Sequence, residues 1–447
     1  MLRAGVAKTE ITPSVGARMA GFEGRAFPAL AVHDPLWARA LVLDDERRRL
    51  GVVALDLVGI SDEAVAAVRR EVSATWGLPA EALLMAATHT HSGPRDTGAK
   101  GSAEEQSYWS ALPQKLASLV GEAVSRLEPA SIGAASGWSA VGMNRRQRMH
   151  AGGVWLGRNP LGPFDTQVGV IRVNRADGTP LVGVMNYACH GVCLADHNYL
   201  ISADYPGYAV HFLEERLGHD AMGMFLNGAC GDVDPREYWE GYGFASSSGF
   251  PQAERSGRDL AERAMRVWRQ AEMTDDVTLR SARRSVELPT NRGRAIALAE
   301  ESLSQAKSEA SRPQKAWSPY VTWQVRSDPA GTEQHLARLR EAGEEPVICE
   351  VQAISAGPAT LVGWAGEVFC ELGMQVKQSS PLPSTYIVGY ANGDIGYVPT
   401  PEEFPLGGYE VDCAAHLDDS AGTVLVEETL QLLGQLTDTR PSSRPAC

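Results

Sequence analysis

At 447 residues, with 44% apolar and 21% charged residues, the chain can bury a large core and has the make-up of an ordinary globular protein. Its formal charge of −14 excludes nucleic acid and anionic membrane surfaces as natural partners, because both repel an acidic surface. The N-terminal stretch MLRAGVAKTEITPSVG lacks the apolar core of a signal peptide, and no apolar run is long enough to span a bilayer, so a cytoplasmic location is expected.

In chain order, RRLGVVALDLVGI is a β-branched apolar run, and SDEAVAAVRREVSATWG reads as a helix with Ser61 as N-cap and Gly77 beyond its end. ALLMAATHTH follows as a buried strand, then the amphipathic helix YWSALPQKLASLVGEAVSRL. TQVGVIRVN and PLVGVMNYACH repeat the strand pattern around the turn RADGTP. PGYAVHFLEERLG is a helix with Pro206 in its first turn, followed by the strand AMGMFLNGACGD. This alternation predicts an α/β fold with mixed sheets flanked by helices, in which sites gather at the carboxyl ends of strands.

From about residue 275 the pattern changes. VTLRSARRSVELPT is strand-like, AIALAEESLSQAKSEAS and EQHLARLREAG are polar helices, and strands resume with EPVICEVQAISAGPATLVGWAG and STYIVGYANGDIGYVPT. AGTVLVEETLQLLGQL closes as a helix. One catalytic domain over 1–436 is expected, with a helical insertion at about 290–345 and a disordered tail at 437–447. The odd set of seven cysteines has no CxxC pair and reads as reduced core residues, including Cys189 and Cys193 beside His190.

Four strand-like segments end in groups able to bind a metal. THTH supplies His89 and His91, which point to one face if they lie on a strand. NYACHG supplies His190, WAGEVF supplies Glu367, and YANGDIGYVPT supplies Asp394 and Tyr397. Two histidines and a carboxylate with one open position make a catalytic zinc set, in which the metal lowers the pKa of bound water to about 7. Structural roles stand beside this reading: a histidine closing a strand, Glu367 at the start of the helix EVFCELGMQV, and Tyr397 as packing. The set also suits iron or manganese.

The segments GVAKTEITP, ATHTHSGP, MNRR, ACHGVC…LISADYPGYA, NGACGDVDP, GEVF and ANGDIGYVPTPEEF resemble, in order, those of the neutral/alkaline non-lysosomal ceramidase family. The resemblance implies one zinc held by His89, His190, Glu367 and Tyr397. It implies that His91 and Arg145 contact the substrate or transition state, and that Tyr409 lines the site. An imidazole there would shuttle protons and a fixed guanidinium would stabilise an oxyanion.

This chain departs from the family at GDVDP, where Asp234 stands in place of a serine to which catalytic weight is assigned. A carboxylate cannot act as a hydroxyl donor or an amidase nucleophile. Asp234 is therefore a base, a contact for a cationic or hydroxyl-rich substrate, or part of a second metal site with Asp232, Asp204 or His197. The family's extra C-terminal domain and a lipid-docking apolar segment are not evident. The expected activity is zinc-dependent hydrolysis of the amide bond of a small soluble N-acyl or cyclic amide, with no nucleic-acid or membrane partner. An esterase or lactonase on the same scaffold, and a non-catalytic metal-containing binding protein, are the alternatives.

Overall fold

The computed structural model describes residues 1–437 apart from 23, 151, 219, 242–248 and most of 311–344. The expected tail and the second half of the expected helical insertion thus lie outside the described residues. The insertion's first half is the helix Arg292–Ala310.

The local signals act as the sequence implies. The Ser61 side chain accepts from the Ala64 N–H to open the helix Asp62–Trp76, and Gly77 closes it in the left-handed region at φ 65°. A reciprocal capping box between Ser102 and Glu105 opens the long helix Ala103–Ser125. In the turn RADGTP, Asp177 accepts from the Thr179 N–H and Gly178 takes φ 85°, which reverses the chain between strands Gln167–Arg175 and Pro180–Tyr187.

The main sheet has eight strands, in the order Met222–Asn227, Pro180–Tyr187, Gln167–Arg175, Glu128–Trp138, Arg3–Glu10, Trp37–Asp44, Arg49–Leu55 and Leu83–Ala87. Only the two outermost pairings are parallel; the interior is antiparallel. The strand–helix alternation therefore governs the edges, where helices connect parallel neighbours, while the antiparallel interior combines two short hairpins with pairings between strands distant in sequence. A second sheet, Leu279–Leu288, Val347–Ala356, Ala359–Trp364 and Thr385–Val388, lies against the first. Leu41, Val52, Ile171 and Val184 of the first sheet face Ile354 and Leu361 of the second. Helices Ala103–Ser125, Asp204–Leu217 and Phe250–Trp268 cover the first sheet, and Ala421–Thr437 covers the second. The layers thus run helix, sheet, sheet, helix.

The two sheets meet where their parallel strands end. Asn227 Nδ2 donates to Thr88 O (3.1 Å), the Gly389 N–H to Asn227 O (3.0 Å), and the Ala87 N–H to Tyr390 O (3.1 Å). The expected metal-binding segments all emerge at this seam. Cys189, Cys193, Cys230, Cys349 and Cys370 are buried in the core, but Cys413, also expected there, is exposed, and Cys447 lies outside the described residues.

Candidate active site

The strand carrying the THTH segment ends at Ala87, so strand alternation is not what pairs its histidines. His89 instead takes φ 63°, an uncommon left-handed conformation for this residue. The expected pairing holds for a different reason: the chain reverses at His89, and His91 Nε2 comes 3.0 Å from His89 Nε2. A second loop lies hard against this one. The His91 N–H donates to Gly191 O (3.0 Å), and a Cβ at Gly191 would sit 2.8 Å from His89 O, so only glycine lets the loops approach. That contact brings in His190, and the ligand atoms of His89, His91 and His190 lie within 4.8 Å of one another.

The back of each ligand-like imidazole is fixed. His89 Nδ1 lies 2.7 Å from Val58 O, and His190 Nδ1 lies 2.8 Å from Cys230 O. A carbonyl only accepts, so both Nδ1 atoms carry a proton and both Nε2 atoms point inward. They meet Glu367 Oε2, at 3.4 Å from His89 Nε2 and 3.1 Å from His190 Nε2. Burial, with Arg145 nearby, pushes the His190 pKa below the ordinary imidazole value; burial, then His89 and His190, pushes His91 well below it. Two inward Nε2 atoms and a carboxylate oxygen gathered at one point are the donor set that a cation takes. The residues present therefore fit a divalent metal.

Glu367 is not a helix cap. It begins the short strand Glu367–Val368, paired with Tyr397–Val398, while Phe369 holds the N-cap position of the following helix. This pairing places Glu367 directly opposite Tyr397. Tyr390 stacks flat on His89, with ring centroids 3.8 Å apart, and Tyr409 meets Tyr397 edge-on at 5.6 Å.

Arg145 lies beside this group and is buried. Its Nη2 donates to Tyr397 OH (3.0 Å), Nη1 to Asp234 Oδ1 (3.0 Å), and Nε to Glu410 Oε1 (2.8 Å). Burial opposes the charge, but Tyr397, Asp234 and Glu410 outweigh it and hold the guanidinium protonated. Glu410 also accepts from Arg146 Nη1 (2.6 Å), and Glu403 from Arg146 Nε (2.8 Å) and from Arg148. Three guanidiniums and three carboxylates thus form one chain of pairs. Glu410, Glu403 and Arg146 were not singled out in the sequence. The available signal was NRRQR itself: arginines between apolar segments require counter-charges somewhere.

The second metal site considered for Asp234 is not assembled among the described residues. Asp232 Oδ1 accepts from the Cys370 N–H and Oδ2 from Asn144 Nδ2. The Asp204 carboxylate accepts from the backbone N–H groups of Cys193, Leu194 and Tyr205. His197 is exposed beside Asp196. Asp394 caps its own turn at Gly396.

The N-terminal loop forms one wall. Arg25 donates to Ala20 O, His91 O and Ala195 O, and Phe22 meets the His91 ring edge-on at 4.9 Å. Large apolar side chains, unmarked in the sequence, do stand in solvent elsewhere: Phe27, Leu30, Trp155 and, at 97% exposure, Leu161. No helix among the described residues is long and apolar enough to cross a membrane. A cavity of about 670 Å³ lies elsewhere, between helix Asp62–Trp76 and strand Val347–Ala356, lined by Arg69, Arg70, Arg283 and Glu350. The side-chain chemistry, rather than that volume, marks the site.

The seam of two sheets with converging imidazoles defines the class. The sequence model of the family described as neutral/alkaline non-lysosomal ceramidase, N-terminal, matches residues 2–238, and the chain belongs to that family. Among individual relatives, the neutral ceramidase of Pseudomonas aeruginosa is 26% identical over 254 residues, covering 52% of this chain and 37% of that protein. The chain thus matches little more than a third of the length of that curated relative. The crystal structure of neutral ceramidase from Pseudomonas aeruginosa has a TM-score of 0.75 at 20% identity, covering 100% of this chain and 76% of the other. A ceramidase complexed with C2 has a TM-score of 0.77 at 19% identity, covering 100% and 77%. At these identities the structural likeness speaks for the fold.

Proposed function

We propose that the protein is a zinc-dependent hydrolase of amide bonds, acting on a small N-acyl or cyclic amide, with the metal held by His89, His190, Glu367 and Tyr397. The observation that carries this is the inward-facing pair of Nε2 atoms, each fixed from behind by a carbonyl and each within 3.4 Å of Glu367 Oε2. The family name points the same way, since its named relatives are ceramidases, enzymes of an N-acyl amide. When bound, the metal supplies Lewis-acid polarisation of the carbonyl and activation of water.

The chain's own residues do the rest. His91 Nε2 faces the same centre and, held neutral by its burial, moves a proton between the attacking water and the departing nitrogen. Arg145 offers its unengaged N–H groups to the carbonyl oxygen as negative charge develops. Tyr397 and Tyr409 wall the approach. His89, His91, His190, Arg145, Asp234 and Tyr397 are all buried, which supports a compact acyl group over a long one.

Metal analysis of the purified protein tests this directly, with about one zinc per chain expected. His190→Ala should lose both metal and activity, and His91→Ala should keep the metal and lose rate. Full hydrolysis of N-acyl amides by metal-free protein would overturn the reading. Amides of increasing acyl length test the substrate size: rates rising steadily to long chains would refute a compact substrate, and turnover of esters alone would make it an esterase.

A further inference from the structure

Asp234 has a defined partner. We propose that Asp234 is a positioning residue which, together with Glu410, clamps the Arg145 guanidinium so that only its unengaged N–H groups remain for the substrate. The inference rests on the amide-hydrolase reading.

A guanidinium carries five N–H donors. Among the described residues, three bonds from Arg145 are made, to Asp234 Oδ1, Glu410 Oε1 and Tyr397 OH, so two N–H groups are left. The clamp is prepared by the backbone. Strand Val233–Pro235 pairs antiparallel with Gly142–Asn144, setting Asp234 opposite Met143 and Val233 opposite Asn144. The next residue, Arg145, donates its N–H to Asp232 O (2.9 Å). Arginine and carboxylate thus leave one ladder two positions apart, on the same face, and both are almost wholly buried, at 4% and 3% exposure. A flexible side chain held from two sides in this way presents its remaining donors in one direction, as stabilisation of developing charge requires.

The competing roles are constrained. For a second metal, the carboxylates of Asp232 and Asp204 are engaged by other donors and His197 is exposed. As a base, Asp234 would have to act through Oδ2, because Oδ1 accepts from Arg145, and the pH profile below separates that role from clamping. Charge is shared along the group: Arg145, Arg146 and Arg148 are met by Asp234, Glu410 and Glu403, and with a neutral residue at 234 Arg145 would keep Glu410 as its one carboxylate.

The test compares the wild type with Asp234→Asn, Asp234→Ser and Asp234→Ala. The measurements are hydrolysis of 4-nitroacetanilide and longer N-acyl-4-nitroanilides, metal content, the pH–rate profile and crystal structures. Asn retains an acceptor for Arg145, so Asp234→Asn should keep most of kcat with an unchanged pH profile. Asp234→Ala should lose kcat on the order of 100-fold, as for loss of one aligned oxyanion donor, with KM little changed, metal retained and the guanidinium displaced. If the alanine variant fails to fold, the Asn and Ser variants carry the comparison, with Ser between Asn and inactivity.

If the Asn variant is as inactive as the Ala variant and one limb of the pH profile vanishes, Asp234 is a base and the proposal falls. A lower metal content in the Asn variant would overturn it in favour of a metal role. An undisplaced guanidinium in the alanine or serine crystal structure would overturn it as well. If the wild type hydrolyses none of the anilides, the functional reading fails, and the Arg145 position in the crystal structures still decides whether Asp234 clamps it.

Discussion

Asp204 shows how one residue's conformation and charge are tied. It opens the helix Asp204–Leu217 at φ 55°, where its carboxylate receives three backbone N–H groups, and its burial raises the pKa from 3.8 to about 6 despite those bonds. The folded protein therefore holds a proton here that the unfolded chain has released. The resulting stabilisation is complete below about pH 4 and is lost as pH rises through about 6, amounting to about 3 kcal/mol. Asp204→Asn tolerates the left-handed conformation and removes the titration. Denaturant melts should show wild-type stability falling relative to the Asn variant between pH 4 and 7; parallel curves would refute the assignment. At this scale the sequence was most legible where chemistry is carried by residue type. His89, His91, His190, Glu367 and Tyr397 were all marked as strand-end groups or family matches, and the structure brings them to one seam. Glu410 escaped because an acid in YEVDC after two glycines looks like the solvated start of a helix. Its burial follows from two arginines more than 250 residues away in sequence.

At the scale of elements, Gly21, Phe22 and Arg25 of the N-terminal loop pack with His91 as one unit. Gly21 takes φ 89°, and a Cβ there would lie 2.2 Å from His91 Cγ. Gly21→Ala should displace the His91 ring, lowering kcat while leaving bound metal unchanged; equal loss of metal and rate would show that the loop supports the whole cluster. The segment Pro401–Cys413 is tied to the arginine strand in a different way, through Glu403 and Glu410. Glu410→Ala leaves two guanidiniums short of a buried partner and should cost about 3–5 kcal/mol in urea unfolding. Element types were legible: both helix caps and the hairpin turn are written in single residues. Their pairing was less so. The alternation implied mixed sheets, and the turn RADGTP marked one antiparallel pair, but which of the other strands pair across long connections was not written in it. The THTH pair was identified by strand periodicity and is realised by a reversal, since the strand stops two residues before His89.

Across the whole molecule, the proposed ligands come from both sheets. His89 and His190 leave strands of the eight-stranded sheet, and Glu367 and Tyr397 follow strands of the second. A metal there would join the two layers, as the Arg69–Glu350 ion pair joins helix Asp62–Trp76 to strand Val347–Ala356 elsewhere, at 2.8 Å. Chelation should therefore lower Tm for global unfolding; at a thousandfold excess over Kd, bound metal contributes about 4 kcal/mol. An unchanged Tm would mean that the site binds no metal tightly. Layering of this kind was only partly legible, because sheet-on-sheet contacts join segments hundreds of residues apart and leave no local period.

The shared carboxylate of Glu410 bears on how such a protein changes over time. Arg145 and Arg146 draw on the same side chain, so neither position 234 nor position 410 can drift alone without stranding a buried cation. Replacements along this chain of charges should be inherited in sets. A neutral residue at position 234 would call for a matching retreat of positive charge among the arginines, and the two changes together should be milder than either one.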